Sequence, residues 1–180
     1  GKIDKQIFLA CLRKCVPCKS VTRMEELQQA LFYDCGGPVK NVNYIDVFQD
    51  DHEGNQGKFV EAMRDQYLEE SIEYSNELVE ALESMASNTN SSSANGSGSS
   101  KRVSMVLSSD GLNLNQLREA FLSVDPSKSL GEVDELIARG CGIDVDEIET
   151  LDDSFEVDVK VFVKKLKTGI LTRSGLRDEA

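Results

Sequence analysis

Two stretches of this chain echo each other at one fixed spacing, and that echo limits the fold more than any other feature. Residues 12–27 read L-R-K-C-V-P-C-K-S-V-T-R-M-E-E-L, and residues 121–136 read F-L-S-V-D-P-S-K-S-L-G-E-V-D-E-L. Pro17 falls on Pro126, Lys19 on Lys128, Ser20 on Ser129, Glu26 on Glu135 and Leu27 on Leu136, each pair 109 residues apart. One offset serving five positions calls for two copies of a single helical unit. Between the copies, residues 88–100 read N-T-N-S-S-S-A-N-G-S-G-S-S, with no charge and only Ala94 as an apolar residue. Ser and Asn bond to their own backbone and Gly carries maximal chain entropy, so a flexible tether is expected there.

The totals narrow the function. A chain of 180 residues can form one medium domain or two small ones. Halves of about 80 residues each support a modest core. With no tryptophan, those cores must come mainly from Leu, Val, Ile and Phe. The net charge of −12 disfavours nucleic acid, because phosphates repel an acidic surface, and it suits a basic partner. No apolar run is long enough to span a membrane. The chain opens Gly-Lys without methionine, which reads as a cleavage scar or an excised fragment. Five cysteines, four of them in the first 35 residues, do not make the even pattern of a secreted disulfide scaffold. A reducing, cytoplasmic location is therefore expected.

Apolar spacing gives the elements. Ile7, Phe8, Cys11, Leu12 and Cys15 recur at three- and four-residue steps, predicting a helix over 3–15 that Pro17 stops. Thr22 with Glu25 has capping-box spacing and opens a second helix with Met24, Leu27 and Leu31 inward, ended by the Cys35-Gly36-Gly37-Pro38 run. Residues 41–48 start extended and turn helical. Residues 58–85 form one long helix, its stripe marked by Phe59, Met63, Tyr67, Ile72, Leu78, Leu82 and Met85. At ~1.5 Å per residue it runs about 40 Å, longer than a small lobe needs. Its far end, Leu78 and Leu82 included, is expected to be covered by the second lobe, a second copy or a partner, the partner being favoured because both halves are acidic.

In the second half Asn113 caps a helix carrying Leu114, Leu117, Phe121 and Val124. Ser129 and Glu132 box the start of the next, with Val133, Leu136 and Ile137 inward and Gly140 at its end. Residues 144–158 hold eight acids in fifteen, a solvated face or a dock for a basic helix. Residues 155–159 alternate like a strand, and residues 161–166 continue as a helix.

This order of helices and short extended pieces resembles paired EF-hand lobes. The segment Val42-Asn43-Tyr44-Ile45-Asp46-Val47 is similar to the end of a calmodulin-type loop, with Val42 at loop position eight and Asp46 at twelve. Val157-Asp158-Val159, followed by Phe162, looks like the same element. The resemblance implies an all-α fold of two EF-hand-like helix-loop-helix lobes, 1–87 and 105–180, joined by a flexible Ser/Asn/Gly linker over 88–104. Calcium ligation would need side-chain oxygens at positions one, three and five. Before Val42 these are Cys35, Gly37 and Val39; before Val157 they are Thr150, Asp152 and Ser154, with Val161 at twelve. Of the earlier loops, Asp125–Ser129 has Leu130 and Leu136 where glycine and the closing acid belong, and Val16–Ser20 has no acid. No loop carries the full ligand set.

Other chemistry is sparse. Cys11, Cys15, Cys18 and Cys35 supply four sulfurs, enough in number for zinc, but Cys11 and Cys15 lie i, i+4 on a helix, where cysteine serves as a small hydrophobe. His52 stands among Asp50, Asp51 and Glu53 with no nucleophile nearby in the sequence. No glycine-rich phosphate cradle appears, and no cofactor is expected. Lys101-Arg102-Val103-Ser104 has the spacing of a basophilic kinase target at Ser104. The expected function is a non-catalytic, calcium-independent adaptor or light-chain-like subunit. Its partner would be a basic amphipathic helix or a cytoskeletal or scaffold subunit. Phe8, Leu12, Leu27, Leu31, Val47 and Phe48 would line one apolar cleft, and Phe121, Leu136, Ile137, Phe162 and Leu166 the other; alternatively these residues form closed cores. A zinc-organised cysteine domain and a calcium sensor with atypical loops are the competing readings.

Overall fold

The computed structural model describes residues 1–92, 111–151 and 155–174. Ser104, most of the tether, and Asp152–Ser154 lie outside them. The described residues are predominantly helical, with two small antiparallel ladders among them. It divides into two compact units inside one helix: Gly1–Ile72 with Arg173 and Ser174, and Glu73–Thr172. The boundary thus precedes the Ser/Asn/Gly run.

The first unit begins with β1 (Lys2–Asp4), which pairs antiparallel with β2 (Asn41–Asn43) so that Ile3 faces Val42. The expected helix over 3–15 therefore starts later: Asp4 accepts from the amide of Gln6 and caps α1 (Lys5–Cys15). Phe8 and Leu12 turn inward, while Ile7, Cys11 and Cys15 stay outside. Proline 17 ends α1, and Ser20, not Thr22, caps α2 (Val21–Asp34) by accepting from the amide of Arg23. Met24, Leu27 and Leu31 are buried as the spacing predicts. α3 (Tyr44–Phe48) follows β2, and α4 (Lys58–Ser92) follows a polar loop. Asp34 reaches across to accept from the amides of Lys58 and Phe59 at 2.9 Å, so the orphan donors at the start of α4 are met by the end of α2.

The first half of α4 lies along α2 through polar contacts. Gln66 donates to the carbonyl of Arg23 and to Glu26, while Glu70 meets Lys19 at 2.9 Å and Arg23 at 3.0 Å. The stripe read from sequence is off by a few positions. Tyr67 and Ile72 are exposed, and the buried row runs through Tyr74, Leu78, Leu82 and Ala86 in four-residue steps, with Gln66 buried eight residues before Tyr74. Leu78 and Leu82 are fully buried in the core of the second unit, so that core, and not a partner, covers the far end of α4.

The second unit repeats the first. β3 (Gly111–Asn113) and α5 (Leu114–Val124) have the bounds of β1 and α1 moved by 109 residues, and α6 (Leu130–Cys141) starts 109 residues after α2. A short α7 (Val145–Ile148) is then inserted, so β4 (Glu156–Asp158) and α8 (Val159–Leu166) fall 115 residues after β2 and α3. β3 and β4 pair antiparallel with Leu112 facing Val157. The Ser129–Glu132 capping box read from sequence at the start of α6 is present, and the Asn113 cap of α5 proves to be a full box with Gln116. Gly140 does not end α6. It lies inside the helix against the ring of Phe162, too close for any side chain, and Gly142 (φ 76°) is the left-handed cap.

Candidate interaction surface

Most residues expected to line two clefts instead form two closed cores. Phe8, Leu12, Leu27, Leu31 and Val47 are buried in the first unit, and Phe121, Leu136, Ile137, Phe162 and Leu166 in the second. Phe48 is the exception at 57% exposed. It packs on Phe8 and Phe59, with ring centroids 6.4 and 5.8 Å away, so one edge of an aromatic trio opens to solvent. Tyr44 and Ile45, on the same short helix, are also exposed. Across the described residues, nine of the thirteen exposed large hydrophobics belong to the first unit. Its surface is the apolar one.

The polar turn between paired helices is the site sequence reasoning missed. Lys19 is 2% exposed, with its ammonium on both carboxylate oxygens of Glu70 at 2.9–3.0 Å. Its repeat partner Lys128 is buried too, donating to the carbonyl of Thr172 at 3.0 Å, lying 3.6 Å from Asp125 and 5.6 Å from the ring centre of Tyr74. The shared Pro-x-Lys-Ser sequence was the signal. These turns, Val16–Ser20 and Asp125–Ser129, connect consecutive helices and do not adjoin the strands, and the buried carboxylate of Asp125 faces Lys128.

The cysteines do not assemble. Cys11 and Cys15 are exposed, Cys18 and Cys35 half-buried, and among the described residues no three His, Cys, Asp or Glu side chains converge as metal ligands would. Burial, and next the carboxylate of Asp34, raise the Cys35 thiol; burial raises Cys141, opposed by Lys165. His52 lines a depression of about 400 Å³ with Asp34, Asp46, Asp50 and Asp51. Asp34 is occupied in capping α4, and hydrogen bonds from Asn55, backbone first, hold Asp51 below the usual carboxylate range. That loop is organised by its own turn. No family model, curated protein or solved structure matches the chain.

Proposed function

We propose that the protein is a non-catalytic, calcium-independent interaction module, an adaptor or light-chain-like subunit that grips helical segments of a larger assembly. It is built from two EF-hand-like units whose boundary falls inside α4. The doubled strand–helix–helix–strand–helix order supports the EF-hand-like part, as do the ladders centred on Val42 and Val157. Calcium independence is supported by Cys35, Gly37 and Val39 standing where side-chain oxygens are needed in the first copy, and by Val161 where the closing acid belongs in the second. The observation that carries the reading is Phe48, a large aromatic left in water at the edge of a packed trio, since exposed apolar surface marks sites of association. Crosslinked capture of a partner from the source cells tests it. Phe48→Glu should abolish capture while shifting the melting temperature by only a few degrees, and a calcium chelator should change neither. Undiminished capture by the variant overturns the reading.

A further inference from the structure

The two copies differ in how much of one face they cover. In the second unit Ala120 is fully buried, in the apolar cluster it shares with Tyr74, Leu78, Leu82 and Ala86 of α4. Its repeat partner in the first unit, Cys11, is exposed, as are Ile7 and Cys15 one turn to either side. The same holds at the first position of the helix after the second strand: Val159 is 3% exposed and its counterpart Tyr44 is 45% exposed. The first half of α4 lies along α2 and leaves this face of α1 open.

Charge says what fits there. Before Glu25 the only acid is Asp4, against Lys2 and Lys14, with Lys5 over the ring of Phe32, Arg13 on the carbonyl of Lys19, and Lys19 and Arg23 held by Glu70. On a chain of net charge −12 this is a locally basic stretch, with Lys14 beside Cys11 and Cys15 on α1, the reverse of what the total suggests. The covering segment in the second unit has the opposite sign: residues 73–88 carry Glu73, Glu77, Glu80 and Glu83 and no basic residue. We propose that the face of α1 bearing Ile7, Cys11 and Cys15 receives an acidic amphipathic helix of a partner protein, with an apolar stripe like that of Tyr74, Leu78, Leu82 and Ala86. This names the partner chemistry and rests on the interaction reading above.

The probe is a fluorescent peptide of residues 73–88, titrated into the full chain and followed by anisotropy. A second peptide has its four glutamates replaced by lysine. Saturable binding is expected for the acidic peptide, weaker by about tenfold for the lysine peptide and for an Ile7→Glu, Cys11→Asp chain. In the unaltered chain the bound peptide should slow alkylation of Cys11 and Cys15 and leave Cys35 and Cys141 unchanged. That readout decides alone if the variant does not fold. No saturable binding, no protection of Cys11 and Cys15, or equal binding by the lysine peptide each overturn the proposal. A concentration-dependent dimer dissolved by Ile7→Glu also overturns it, because the occupant is then a second copy. Failure here together with loss of capture in Phe48→Glu leaves the interaction module standing and removes only this face.

Discussion

The ammonium of Lys19 stands 2.9 Å from a carboxylate oxygen of Glu70, with the lysine side chain almost wholly sealed from water. Glu70 also meets Arg23, and Arg13 donates to the Lys19 carbonyl, so the turn between α1 and α2 is tied to α4 by charge-assisted bonds. Lys19→Met should destabilise the first unit by about 1.5–3 kcal/mol, because Glu70 loses its most deeply buried partner and keeps only Arg23. Urea melts would show it. Lys19→Met combined with Glu70→Leu should recover more than half of the loss; no recovery means the pair is not the source.

Leu78 and Leu82 are core residues of the second unit, so changing both to glutamate should unfold that unit. Two carboxylates in an apolar core cost more than about 5 kcal/mol, comparable with the whole stability of a small domain. Hydrogen exchange resolved by segment should show α5, α6 and α8 losing protection. Retained protection there would contradict the packing.

Gly140→Ala should also weaken the second unit. The added methyl falls within the ring of Phe162, and overpacking of this kind costs about 1–3 kcal/mol. Phe162→Leu in the same chain should return part of it, and a thermal double-mutant cycle measures the coupling.

Alkylation at pH 8 should separate the cysteines. Cys11 and Cys15 are exposed and should react first, while Cys35 and Cys141 lag because burial raises both thiols and keeps them protonated. Raising the pH populates their thiolates and should narrow the gap, as timed mass spectrometry would show. A pH-independent ratio would mean that access alone sets the rates.

The repeat was legible because its marks are local: Pro17 and Pro126 break helices, Ser20 and Ser129 cap them, and Leu27 and Leu136 point inward. β1 and β3 were not. A three-residue strand with one apolar residue, Ile3 or Leu112, has no periodicity to read, and only its pairing with Val42 or Val157 defines it. Tyr74 was missed because the stripe on α4 was followed through Tyr67 and Ile72. Tertiary contact turned the helix to present Gln66 and Glu70 instead, polar residues that hydropathy assigns to water. Phe48 was placed in a cleft from its apolar character alone, and its exposure depends on packing that no local pattern encodes.

Gly140 beneath Phe162 has a further consequence when set beside its counterparts. In the first copy the corresponding positions are Leu31 and Val47, both core residues, so the large and small side chains have traded places between the two copies. Exchanging α2 with α6 would set a leucine against the phenylalanine in one hybrid and leave a void beside the valine in the other. Tandem duplicates within one chain run the hazard of folding with each other's helices. This reciprocal change of volume makes the hybrids worse than the correct pairs, giving each copy a private lock for its own key.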